Sequence, residues 1–160
     1  MKSASAKIID KIQHAYGLYH RLVIVAGPSD TGKTVSLKAI HQEHHFPLIN
    51  VGLALSKQML ELTQKQRTFQ AARLLEHLVD AYNEDIVLLD NIEILFDTTL
   101  KLNPLNVLRK ISRDKTIAAT WNGVLEDGYL IYAAPDHLEY RRDKIEDTSV
   151  VILTNHEGTV

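Results

Sequence analysis

Cysteine is absent from this chain of 160 residues, which excludes disulfides, thiolate nucleophiles and cysteine-ligated zinc. No apolar run approaches the length needed to cross a bilayer, and the opening Met-Lys-Ser-Ala-Ser-Ala-Lys lacks the hydrophobic segment of a signal peptide. A cytoplasmic protein without membrane contact is therefore expected. An excess of positive charge is missing too. The formal net charge is −2 and the lysines and arginines form no basic stripe, so any DNA binding would need an oligomer to concentrate charge. There is no internal repeat, low-complexity tract or linker. A 45% apolar content suffices for one buried core, and the length is too short for two full domains, so residues 1–160 are read as a single domain.

Glycine is scarce, at seven residues, yet Gly27 and Gly32 fall within one short stretch. That stretch, Gly27-Pro28-Ser29-Asp30-Thr31-Gly32-Lys33-Thr34, is a complete Walker A pattern directly behind the apolar run Leu22-Val23-Ile24-Val25-Ala26. A buried strand feeding a glycine-rich turn and a helix aims successive backbone N–H groups at a polyphosphate. Lys33 can then reach the β- and γ-phosphates, and the Thr34 hydroxyl can take a Mg²⁺ coordination position. ATP and Mg²⁺ are the expected ligands.

The remaining pattern alternates strands with helices. A helix over about residues 3–16, with Ile8, Ile9, Ile12, Ala15 and Tyr16 at helical spacing, is expected to pack on the core or on a neighbouring subunit. After the phosphate loop a helix is expected to about His44, then a strand at Leu48-Ile49-Asn50-Val51. Two helical patterns follow, one marked by Met59, Leu60 and Leu62 and one from Phe69 to Tyr82. Ile86-Val87-Leu88-Leu89 is apolar throughout, as expected of a parallel strand covered on both faces. Asn103-Pro104 opens another helix, Thr116–Trp121 reads as a strand ending at Asn122-Gly123, and Asp127-Gly128 is a two-residue hairpin signal. Ser149–Thr154 is read as the last strand. The pattern implies a three-layer α/β P-loop NTPase with a parallel sheet, of the ASCE or AAA+-like kind, without a helical lid domain after the last strand.

Asp90 closes its apolar strand in the Walker B arrangement, where a carboxylate beside the phosphate loop holds the metal together with Thr34. In the P-loop branch in which one strand separates the two Walker strands, a glutamate usually follows and polarises the attacking water. Here Asn91 follows. An amide can orient water but cannot take its proton, so general-base catalysis is lost or relocated. Glu93 is the obvious substitute, although alternation could equally turn it to solvent. Asn122 matches the position of a polar γ-phosphate sensor in AAA+ proteins, or is a plain turn residue. Arg141 and Arg142 stand where such proteins carry an arginine finger acting on a neighbour's nucleotide, a role that stabilises charge on the transferring phosphoryl group. Arg109 and Arg113 read as a solvated helix face, His41, His44 and His45 as a solvated helix end, and Trp121, Tyr129 and Tyr132 as packing rather than a base-stacking platform.

Several stretches carry a more specific resemblance: Pro47-Leu48-Ile49-Asn50, Leu88-Leu89-Asp90-Asn91-Ile92-Glu93-Ile94-Leu95-Phe96, Ala119-Thr120-Trp121-Asn122-Gly123, Tyr132-Ala133-Ala134-Pro135-Asp136-His137 and Glu139-Tyr140-Arg141-Arg142. Together they resemble the BrxF family, the small P-loop proteins of type III BREX bacteriophage-exclusion systems, from Arg21 to Thr154. An asparagine after the Walker B aspartate is usual in that family. The resemblance implies an antiviral role beside a large P-loop ATPase, a DNA methyltransferase and an alkaline-phosphatase-like protein, with DNA reached through the assembly. The residues themselves favour an oligomeric ATPase that turns over slowly alone. A small-molecule kinase, with Tyr140–Lys144 as a lid over phosphates, and a nucleotide-dependent switch that hydrolyses little are the alternatives.

Overall fold

The computed structural model describes residues 2–146 and 148–154. Five parallel strands form its central sheet in the order β2-β3-β4-β1-β7: β1 (Leu22–Gly27), β2 (Leu48–Asn50), β3 (Ile86–Asp90), β4 (Thr116–Glu126) and β7 (Ser149–Ile152). One strand, β4, thus lies between the strand that enters the phosphate loop and the strand that ends at Asp90.

Alternation along β1 builds the two cores. Leu22, Ile24 and Ala26 face one side with Val87, Leu89, Ile117, Ala119 and Trp121. There they meet α3 (Val51–Met59), α4 (Gln64–Asp80) and α5 (Pro104–Ile111). Val23 and Val25 face the other side with Leu88, Ala118 and Val151, under α1 (Ala4–Ala15) and α2 (Lys33–His44). Because every residue of β1 is buried, its sequence shows a continuous apolar run instead of alternation. A fully buried Leu, Ile or Val contributes about 1.5–3 kcal/mol, so the sheet centre is the rigid floor on which the loops stand. The first helix places Ile8, Ile12 and Ala15 against this second face, capped at its start by the Ser3 hydroxyl accepting from the Ala6 N–H.

Several expectations need correction, beginning with the last strand, which ends at Ile152 and not at Thr154. The strand from Thr116 does not end at Asn122-Gly123 but continues to Glu126 and turns through Asp127-Gly128 into antiparallel β5 (Tyr129–Tyr132). Gly123 serves close approach: a Cβ there would lie 1.9 Å from the Ile131 carbonyl oxygen. The helix after β2 spans Val51–Met59, because the Asn50 side chain caps it by accepting from the Leu53 N–H at 3.1 Å; Leu60 and Leu62 lie beyond its end. A third antiparallel strand, β6 (Arg141–Lys144), pairs with β5. Its charged sequence carries no apolar alternation, and the Arg142 guanidinium lies 3.6 Å from the Tyr129 ring centre. In α4 the buried stripe is Ala71, Leu75 and Val79, with Phe69 facing outward at 76% exposure. No helix among the described residues is long and apolar enough to cross a membrane.

Candidate nucleotide site

The ends of β1 and β3 meet the middle of β4 at one edge of the sheet, where Gly27 pairs with Asn122 and Asn50 with Asp90. Between them lies a cavity of about 250 Å³ lined by Asp30, Lys33, Thr34, Asp90, Glu93 and Asn122, with Ser29, Gly32, Val35, Asn91 and Thr120 completing the wall.

The phosphate loop has its shape for local reasons. Asp30 (φ 64°) and Gly32 (φ 88°) both adopt the left-handed conformation, which aspartate tolerates better than most residues and glycine without strain. Gly27 is required by space: a Cβ there would lie 2.6 Å from the Leu153 carbonyl oxygen and 2.6 Å from Thr31 Oγ1. Thr31 closes the turn by donating to the Pro28 carbonyl at 2.8 Å. Gly32 caps α2, whose first N–H groups therefore emerge beside Lys33 and Thr34 with the positive end of the helix dipole. Lys33 is buried, and its Nζ donates to the Gly27 carbonyl at 2.7 Å and to Thr31 Oγ1 at 3.3 Å. Burial lowers its pKa from the ordinary lysine value, while the carboxylates of Glu93, Asp90 and Asp30 act against that shift.

Asp90 is held from two sides on one oxygen. Its Oδ1 accepts from the Thr120 hydroxyl at 2.8 Å and from the Asn91 N–H at 3.0 Å. Glu93 rides on a short 3₁₀ helix, Ile92–Phe96, and lines the cavity, so the reading that turned it to solvent does not hold. Burial raises its pKa above the ordinary glutamate value, and the nearby Asp90 charge adds to the effect against opposing backbone hydrogen bonds and Lys33. The same 3₁₀ helix carries Phe96, stacked on Tyr132 at 3.6 Å between ring centres, with Trp121 edge-on at 5.1 Å. These rings are packing, and the Tyr132 hydroxyl, pushed up to about 12 first by burial and then by Glu93 and Glu139, stays a phenol.

Asn91 sits at φ 54°, and its carbonyl accepts the Gly52 N–H at 2.9 Å. The strand end is thereby latched to the start of α3. Gly52 allows this approach, since a Cβ there would already lie 3.2 Å from the Asn91 carbonyl oxygen. Asparagine populates the left-handed region at lower cost than glutamate. Asn91→Glu should therefore lower stability by about 1 kcal/mol, a shift of roughly 2–4 °C in the thermal midpoint, whatever it does to turnover. An unchanged midpoint in a thermal melt would contradict this account of why an asparagine stands there.

The two arginines stand apart from this cavity. Arg141 makes a paired contact with Asp143, at 3.0 and 3.2 Å, and lines a separate hollow with Phe96, Asp97, Lys101 and Tyr140. Arg142 covers Tyr129. Within one chain they are not joined to the phosphate loop. Arg109 donates to the Lys144 carbonyl and Arg113 covers Tyr19. His41 meets the Phe46 carbonyl and His44 stacks on Phe46. Sequence reasoning missed Thr120. Its signal is a hydroxyl inside a mostly apolar strand that already opens on Thr116, which is easily read as β-propensity.

The donor set fits a triphosphate with a hard divalent cation. A loop whose Gly27 has no room for a Cβ and whose Gly32 holds a left-handed φ, a helix N-terminus and a buried ammonium suit phosphate oxygens, and the Thr34 hydroxyl and Asp90 carboxylate have the hard oxygen chemistry that a divalent cation takes. Residues 23–156 match the family described as "ATPase family associated with various cellular activities (AAA)". The chain belongs to that family. It is an ATP-binding P-loop NTPase domain with a parallel-sheet α/β fold. A comparison with curated proteins gives no match. Among solved structures the chain is similar to that titled "Structure of C. elegans PCH-2", with 16% identity and a TM-score of 0.40 over 93% of this chain. It spans 40% of that chain's length.

Proposed function

We propose that the chain is a slow ATPase whose active site is completed by a second copy. The observation that carries this reading is the convergence of Lys33, Thr34, Asp90 and Glu93 on one cavity. Lys33 and the first N–H groups of α2 bind the β- and γ-phosphates, and Thr34 and Asp90 hold Mg²⁺. The cation, when bound, neutralises charge on the phosphate oxygens. Asn91 and Asn122 orient the attacking water and the γ-phosphate. Glu93 accepts the water proton as the water oxygen bonds to the γ-phosphorus and the bond to the bridging oxygen breaks, with the electron pair leaving on ADP. Burial supports the base role, since a raised pKa makes Glu93 a better proton acceptor than an exposed carboxylate.

Val35, 70% exposed at the cavity wall, and the open side beside it give a neighbouring subunit a place to exclude water. Arg141 or Arg142 then acts in trans, through a head-to-tail contact that closes a ring or runs on as a helix. ATP·Mg²⁺ should promote oligomers. Arg141→Ala or Arg142→Ala should spare nucleotide binding and remove most turnover. Mixing either variant with Lys33→Ala protein should restore activity where a Lys33→Ala subunit lends its arginine to an intact phosphate loop. Failure of every mixture to exceed its components in phosphate release would remove the arginine role. The BrxF resemblance supports placement in a BREX antiphage system, in the cytoplasm, with a large P-loop ATPase as partner and DNA reached through the assembly.

A second reading, an ATP-dependent interaction switch with little hydrolysis, is favoured by one observation: Asn91 occupies the water-polarising position and latches α3 through Gly52. The kinase reading loses its lid, because Arg141–Lys144 is paired with β5.

A further inference from the structure

We infer that Thr120 is a positioning residue for the cation site, acting through Asp90. This rests on the nucleotide reading above and adds a residue that the loop motifs do not contain. Thr120 is buried in β4, next to the pairing of Leu89 with Ala119 that brings its side chain alongside Asp90. Its hydroxyl donates to Asp90 Oδ1 at 2.8 Å, and the Asn91 N–H donates to that same oxygen at 3.0 Å. Two donors converging on one oxygen fix the plane of the carboxylate, one from within β4 and one from the residue just past the end of β3. With Oδ1 occupied in this way, Oδ2 is the oxygen left for a cation or its water shell. The need for such a clamp follows from the neighbours. Lys33 and Glu93 both act electrostatically with Asp90, one attracting and one repelling, and a carboxylate with free rotation would follow Lys33. The Thr120 hydroxyl keeps it directed into the cavity that it helps to line.

The test replaces the hydroxyl at constant shape. Thr120→Val retains the β-branch and volume, Thr120→Ser retains the hydroxyl, and Mn²⁺ serves as a paramagnetic probe in the presence of a non-hydrolysable ATP analogue. Mn²⁺ affinity should fall roughly tenfold in the valine variant, the scale of one hydrogen bond to a charged acceptor, and return to within about threefold in the serine variant. Affinity for the analogue without any divalent cation should be unchanged in all three proteins. That combination separates a cation-positioning role from a structural one, which would weaken both. Native-like Mn²⁺ affinity in Thr120→Val, or an equal loss in Thr120→Ser, overturns the inference. If Thr120→Val loses its cooperative melt, Thr120→Ala, which also lacks the hydroxyl, gives the same reading. A native protein that binds the analogue neither with nor without Mn²⁺ overturns the nucleotide reading itself, and the inference falls with it. Binding of the analogue that is indifferent to Mn²⁺ overturns the inference alone.

Discussion

Lys33→Ala should abolish ATP·Mg²⁺ binding in a calorimetric titration. Its ammonium is the cation of the phosphate loop, and it lies on the loop's own Gly27 carbonyl, so it sits among the groups that would cradle the β- and γ-phosphates. Hydrogen bonds to charged groups are worth about 1.5–3 kcal/mol each, and Lys33 can supply more than one. Affinity should therefore fall at least 100-fold. The fold should not suffer in proportion. The buried ammonium is opposed by its own desolvation, which lowers its pKa, and alanine removes that cost while leaving α2 a good helix former. A thermal midpoint close to native alongside undetectable binding is the expected pair of results. Unchanged affinity would sink the assignment of this loop.

Glu93→Gln should lower turnover by about 100-fold or more while leaving nucleotide affinity within a few-fold of native. The amide keeps the shape and hydrogen-bonding reach of the side chain and removes its ability to take a proton. The pH dependence gives an independent signature. A general base must be deprotonated, and burial together with the Asp90 charge raises the Glu93 pKa above the ordinary value of 4.5. The acid limb of the rate profile should therefore lie above that value, with activity rising as pH rises through it. Stability carries the opposite sign: a carboxylate whose folded pKa is raised costs stability once it ionises in the folded protein, so Glu93→Gln should stabilise the fold slightly on the alkaline side. If Glu93→Gln leaves both the rate and the acid limb as they are, water activation lies elsewhere.

How much of this was legible in the sequence depends on the kind of residue. The phosphate loop was legible because its chemistry is local: glycines, a lysine and a threonine at fixed spacing behind an apolar run. Asp90 was legible for the same reason, at the end of four apolar residues. The buried strands betrayed themselves as continuous apolar runs, and the sheet order with β4 between β1 and β3 agrees with the branch the motifs indicated.

What stayed hidden depended on distant partners. Glu93 could be turned either way by alternation, and only the 3₁₀ geometry of Ile92–Phe96 brings it into the cavity. Thr120 acquires meaning only from a hydrogen bond to a residue thirty positions away in the chain. The Asn122-Gly123 pair resembles a turn by composition, yet the close approach of the Ile131 carbonyl explains its glycine better. The charged strand Arg141–Lys144 was invisible to hydrophobic patterning, because pairing with β5 and the Tyr129 ring, not apolar burial, hold it in place.

The central claim is that this cavity hydrolyses ATP and does so better in company. Phosphate release from ATP·Mg²⁺, measured across a wide range of protein concentration with Lys33→Ala protein as the blank, tests it most directly. The account predicts release above the blank that requires Mg²⁺, depends on Glu93, and rises per protomer as concentration increases. Release that never exceeds the Lys33→Ala blank at any concentration would contradict it.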